Sequence, residues 1–211
     1  MEENLTKTTL WQQIKDKPYF FVLLTLYWVS GSIILLSFSK KEIHLTINQI
    51  HTSFGDNVFP WLTHLGEEWV YIFMAIIFIY KKKYRELLVT CMVVLLQTIV
   101  VQGMKHLAFP NQPRPKTFFE GVAKLNFVEG VDVHGYLSFP SGHTATAFSA
   151  FCLVIFFHKH PTWQFLAFIA CLSVAMSRMY LQQHFFIDTF AGSMIGISCS
   201  MLGYAWYLQK R

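Results

Sequence analysis

The chain has 211 residues, of which 54% are hydrophobic, 17% aromatic and only 14% charged, and its net charge is +5. This is too apolar for a soluble domain and describes a membrane protein, read as a single integral membrane domain over residues 1–211. The basic excess is an orientation signal on membrane loops and implies no nucleic-acid partner.

Crossing a bilayer as a helix takes roughly 20 apolar residues. Six runs are candidates, at 19–38, 58–80, 86–108, 143–158, 163–181 and 185–208, which predicts an all-α, six-transmembrane-helix bundle. Residues 1–18 are polar and read as an interfacial or disordered lead-in. No clear small-residue cleavage site follows the first run, so it is expected to stay attached as a helix. Beyond it, Ile43, Ile47, Ile50 and Phe54 share one helical stripe, with Lys40, Lys41 and His44 on other faces. That pattern fits an amphipathic helix in the outer interface or a packed loop helix. His51 and His64 read as ordinary polar residues at an interface. Cys91, Cys152, Cys171 and Cys199 fall inside the runs without metal-ligand spacing and read as small packing residues.

Six spans place both termini on one side, together with loops 81–85 and 158–162. That side carries ten basic residues: Lys7, Lys15, Lys17, Lys81, Lys82, Lys83, Arg85, Lys159, Lys210 and Arg211. The other side carries seven: Lys40, Lys41, Lys105, Arg114, Lys116, Lys124 and Arg178. Three of the seven, Lys105, Arg114 and Arg178, are assigned to a site below, which leaves four. The side with ten is therefore expected to be cytoplasmic, as in a multi-pass protein of the cytoplasmic (inner) membrane.

The outer side collects the chemistry. Lys105 ends the third run, where taken alone it would snorkel to the headgroups. Residues 109–115 form a proline-broken turn that stiffens the chain around Arg114. The loop 116–139 is the longest, and a loop of that length is expected to be functional. Pro140, Ser141 and Gly142 then supply a turn, an N-cap and exposed amides suited to an anion, with His143 at the same helix end.

Between the fifth and sixth runs, residues 177–188 bring Arg178, His184 and Asp188 to the edge of the hydrocarbon layer, where such groups are costly. If the last run is helical, Asp188 lies one turn from His184 and can hold one ring nitrogen while the other stays open. The alternative is a His/Asp pair that only closes a helix N-terminus. Convergence decides between them, because three cations, two histidines, a carboxylate and a helix N-terminus at one membrane face describe a phosphate site.

These residues resemble the type 2 phosphatidic-acid phosphatase superfamily, which shares its site with vanadium haloperoxidases. The second motif of that family matches in full at Pro140, Ser141, Gly142 and His143, and the third in full at Ser177, Arg178, His184 and Asp188. The first matches in part, since eight residues separate Lys105 from Arg114 and Pro115 where the family has six. The motif core runs from 105 to 188, with 116–139 as an active-site loop. The resemblance implies a membrane phosphatase acting on a lipid phosphate or diphosphate without a metal or other cofactor. His184 would be the nucleophile, Asp188 would orient it, and His143 would be the general acid and base. Lys105, Arg114, Ser141, Gly142 and Arg178 would hold the phosphate.

Phosphatidylglycerophosphate, phosphatidate, undecaprenyl diphosphate and the phosphates of lipid A remain open as substrates, as does the oligomeric state. A non-catalytic lipid-phosphate binding or transport protein is the competing reading, although binding alone requires neither His143 nor the His184/Asp188 pair. A serine hydrolase built on Ser141 lacks the Gly-x-Ser-x-Gly elbow. A zinc site lacks a third close ligand beside His143 and His184.

Overall fold

A computed structural model describes residues 9–158 and 160–210. Lys7, Lys159 and Arg211, which enter the charge asymmetry, and residues 1–8 of the lead-in lie outside the described residues. Ten α-helices and no strand occur among the residues described. They are α1 (Leu10–Lys15), α2 (Pro18–Ser37), α3 (Lys40–Asn48), α4 (Ser53–Leu62), α5 (Trp69–Tyr80), α6 (Tyr84–Gly103), α7 (Pro115–Phe118), α8 (Gly142–Phe157), α9 (Pro161–Tyr180) and α10 (Phe186–Gln209). A 3₁₀ turn, Thr63–Gly66, precedes α5, and a π-helical turn, Met104–Ala108, extends α6.

Four of these segments are long and apolar enough to span a membrane: Pro18–Ser37, Tyr84–Ala108, Pro161–Tyr180 and Phe186–Gln209. A fifth is the pair Ser53–Gly66 and Trp69–Tyr80, bent by 50°. The expected sixth span is α8, and it differs. Its 16 residues rise only about 24 Å, short of the roughly 30 Å hydrocarbon layer. Eleven of them are buried, so α8 is the core that the others enclose, and protein rather than lipid satisfies its surface.

Lipid-facing and core-facing residues separate cleanly on α2. Val22, Leu26, Val29 and Ile33 are exposed at spacings of three and four, while Phe20, Leu24 and Gly31 are buried. In water such a helix would expose too much apolar surface, which fixes the chain as a multi-pass membrane protein.

Two ends of the bundle are distinct. At one, the Lys17 ammonium lies over the Phe156 ring, and Arg85 donates to the Tyr207 carbonyl at 3.2 Å. Residues 9–17 of the lead-in are accordingly more ordered there than their polarity suggests. Thr9 and Gln12 form a capping box for α1, and the buried Gln13 accepts hydrogen bonds from Lys17 at 3.0 Å and from Tyr204 at 3.3 Å. The opposite end holds the C-terminal ends of α6 and α9 and the starts of α8 and α10.

Close approach of α8 and α10 sets the height of that end. A Cβ on Gly192 would sit 2.6 Å from the Ser141 carbonyl oxygen, and one on Gly196 would sit 2.3 Å from that of Ala145. Glycines four apart let the backbones touch, as in other membrane helix pairs. Tyr71, Gln97 and Ser149 then tie α5, α6 and α8 together by side-chain hydrogen bonds, and Gln97 also donates to Thr146 at 2.9 Å.

Gly196→Ala is expected to lower the thermal unfolding midpoint in detergent, for an overpacking cost of about 1–3 kcal/mol. Gly103→Ala, whose added Cβ meets nothing within 4 Å, should leave the midpoint unchanged or raise it, since alanine is the better helix former. Equal midpoints for the two variants would show that the α8/α10 contact does not support the fold.

Candidate active site

The helix α9 ends in a turn that presents His184. Gln182 takes a left-handed conformation, φ 58°, and the amides of Gln183 and His184 both return to the Arg178 carbonyl, at 3.0 and 3.1 Å. This is a Schellman-type stop with glutamine where glycine is usual. A non-glycine residue there costs of order 1 kcal/mol or more and persists only when its surroundings hold it. Here they do, because His44 Nε2 meets Gln182 Oε1 at 2.6 Å, and Gln182 Nε2 donates to Asn48 at 3.1 Å.

The start of α10 fixes Asp188. Its Oδ2 accepts from the Phe185 amide at 2.9 Å and from the Ser138 hydroxyl at 2.5 Å. The same oxygen lies 3.5 Å from Nδ1 of His184, too long for a full hydrogen bond, and among the described residues Nδ1 has no hydrogen-bond partner. Such contacts are often loose before substrate binds. With Nδ1 turned toward Asp188, the other edge of the ring is left toward the cavity.

That cavity holds about 580 Å³ and is lined by Lys105, Arg114, Gly142, His143, Arg178 and His184, together with Thr63, Gln97, Gln183 and parts of loop 116–139. Six of the eight residues singled out in the sequence therefore face one space. Asp188 stands behind His184. Ser141 does not line the cavity, because it is wholly buried and its hydroxyl accepts from Thr144 at the start of α8. The π turn brings Lys105 to the same wall as Arg114 despite the longer spacing; the Phe109 amide reaches five residues back to Met104 at 2.8 Å.

Arg114 is buried, and its guanidinium donates to the Tyr136 carbonyl at 2.9 Å and to Gln183 Oε1 at 2.6 Å. Gln183 in turn donates to the Asp132 carbonyl at 2.7 Å, so the loop, Arg114 and the His184 turn form one unit. Arg178 is buried and donates to Thr63 at 2.8 Å, and among the described residues its Nε has no hydrogen-bond partner. Among the described residues, none of Lys105, Arg114 and Arg178 is ion-paired to a carboxylate.

A model of the PAP2 superfamily matches residues 86–211. The chain belongs to the PAP2 superfamily. The lipid A 4'-phosphatase of Porphyromonas gingivalis is 27% identical over 186 residues, spanning 82% of this chain and 74% of that one. The crystal structure of Aquifex aeolicus LpxE shares the fold with a TM-score of 0.69 at 24% identity, covering 81% of this chain and 98% of that one. A Bacillus subtilis PAP2-type phosphatidylglycerolphosphate phosphatase superposes with a TM-score of 0.63 at 22% identity, covering 92% and 98%.

The PAP2 match begins within α6, yet three residues before it shape the site. His44 and Asn48 brace Gln182, and Thr63 holds Arg178. The apolar stripe on α3 partly concealed the first two. The expected single stripe is broken, since α3 ends at Asn48 and Ile50 and Phe54 lie beyond it and are exposed, whereas the polar face that carries His44 and Asn48 is buried against Gln182, Phe119 and Phe185. The helix is therefore packed by its polar side and is no mere float. Lys40 extends the same contact by lying 3.9 Å from the Phe185 ring centroid.

Burial, followed by the positive charges of Arg114, Arg178 and Lys105, holds the His184 imidazole well below the ordinary value of 6.5. A depressed value keeps the ring neutral at neutral pH, with protonation only as the pH falls well below 6.5. An NMR titration of histidine-labelled, phosphate-depleted protein should find His184 neutral through pH 6. A midpoint near 6.5 would show that the cations do not act on this ring.

Proposed function

We propose that this membrane phosphatase of the PAP2 superfamily removes phosphate from a lipid phosphate or diphosphate monoester through a phosphohistidine on His184. One observation carries the reading: three basic side chains, two of them buried, converge on a neutral histidine, and among the described residues none of the three is ion-paired to a carboxylate. An unpaired buried charge is costly by several kcal/mol, and a multiply charged phosphate would supply the missing partners. Residues 1–211 act in this reading as one domain.

In the first step the open nitrogen of His184 attacks phosphorus. The N–P bond forms as the bond to the lipid oxygen breaks, and His143 gives that oxygen a proton. Asp188 keeps the His184 ring aligned and balances its developing charge. In the second step a water attacks the phosphohistidine, its proton passes to His143, and the N–P bond breaks to release phosphate. Lys105, Arg114, Arg178 and the Gly142 amide would hold the phosphoryl oxygens throughout, a task that Mg²⁺ serves in other phosphoryl transfers. Ser141 would contribute by capping α8 and aiming that amide. We read the reaction as metal-independent on this basis.

The basic excess on the opposite loops supports a site facing the outer side of the cytoplasmic membrane. Its position at helix ends suits a substrate anchored in that leaflet, since each buried methylene adds about 0.8 kcal/mol to partitioning. The relative's name puts lipid A phosphates first in a panel that also holds phosphatidylglycerophosphate, phosphatidate and undecaprenyl diphosphate.

Purified protein is expected to release phosphate from long-chain members of that panel in EDTA, and much faster than from glycerol phosphate. His184→Ala should abolish release, by a factor of at least about 10³, while His143→Ala and Asp188→Asn leave a small residue of activity. Near-normal turnover by His184→Ala would remove the covalent route, and binding without any release would favour a lipid-phosphate binding protein.

A further inference from the structure

The turn before α5 sits on the site although no motif includes it. Thr63 Oγ1 accepts from Arg178. Gly66 is seated so closely that a Cβ there would lie 2.6 Å from the His143 carbonyl oxygen and 3.0 Å from its Cβ. Next along the chain, Glu67 Oε1 lies 3.7 Å from His143 Nε2 and 2.9 Å from His64 Nδ1. Thr63, His64, Gly66 and Glu67 all precede residue 86, where the family match starts.

We propose that Glu67 is the positioning residue for His143, setting the ring's orientation and keeping a proton on it, as Asp188 does for His184. The inference rests on the phosphatase reading above. A general acid must carry its proton when the leaving oxygen departs, yet His143 faces Arg178, His184, Lys105 and Arg114. Burial, and then the positive charges of Arg178, Lys105 and Arg114, oppose an imidazolium there. Some negative charge has to offset them, and few groups are placed to do so. Asp188 is already engaged by Ser138 and Phe185. Glu68 and Asp132 line the cavity, but among the described residues Glu67 is the carboxylate in ion-pair range of His143.

Substrate phosphate can offset the cations while it is bound as a dianion. In the second step, however, the phosphoryl group is on His184 while His143 must take a proton from water, and a fixed carboxylate then matters most. His64 fixes that carboxylate from the other side, which holds Glu67 in place and limits how far it can turn into the cavity. The two histidines of the site would each have their own carboxylate, one from the first turn of α10 and one from the break between α4 and α5.

The test is the pH profile of kcat and KM for the full chain in detergent with a long-chain lipid phosphate. Glu67→Gln should lower kcat about tenfold or more, leave KM within about twofold, and move the alkaline limb to lower pH by about one unit. Glu67→Asp keeps the charge but draws it back by a methylene, and should place the limb between those of Glu67→Gln and the wild type. If Glu67→Gln fails to fold, the Glu67→Asp shift decides alone. An unmoved limb with unchanged kcat in the folded variants overturns the inference, as does a raised KM with kcat intact. A wild type that releases no phosphate would instead overturn the phosphatase reading itself.

Discussion

Uncompensated positive charge in an apolar bundle is the constraint on which the rest of this structure depends. Lys105, Arg114 and Arg178 meet at one cavity with no ion-paired carboxylate among the described residues, and folding alone does not favour such a cluster. It persists because every neighbouring element is arranged to hold it. Arg114 is clamped by the Tyr136 carbonyl and Gln183, Arg178 by Thr63, and Lys105 by a π turn that keeps it on the cavity wall. Burial and then the same charges hold the His184 imidazole below its ordinary value, so that it is neutral rather than one more cation, as the proposed nucleophile must be.

Precision at His184 comes from packing at a distance from it. The Gly192 and Gly196 contacts put α10 against α8, so that Asp188 and the start of α8 lie at one height, and the Ser141 amide donates to the Asp188 carbonyl at 3.0 Å. The left-handed Gln182 aims the turn, and α3 stabilises it through His44 and Asn48. Asn48 also accepts from the Asn126 amide at 2.8 Å. Hydrogen bonds thus join α3, the long loop and the His184 turn.

Much of this was legible in the sequence for a physical reason. Long apolar runs admit few structures in a bilayer, and titratable side chains at their ends are too costly to be incidental. That logic gathered Lys105, Arg114, His143, Arg178 and His184 before any coordinate was known. What it missed depends on three-dimensional context. The shortness of α8 makes sense only once it is seen to be enclosed by protein. The burial of His44 on the polar side of an apolar stripe reverses the usual inside-out rule, because the partner is itself polar. Ser141 reads equally well as a phosphate ligand or an N-cap, and only burial distinguishes them. Glu67 and Thr63 lie in a stretch of mixed character between Trp61 and Glu68, where a 50° bend, not a motif, brings them to the site.

The central claim is that phosphorus becomes bonded to His184 during turnover. Phosphohistidine survives in alkali, so protein mixed with a phosphorus-labelled long-chain lipid phosphate can be quenched in base within the first turnover, digested and mapped by mass spectrometry. The account predicts label on the peptide that carries His184, at that residue, rising and decaying as free phosphate appears. Label on another side chain, or turnover with no labelled protein at any time, would contradict it.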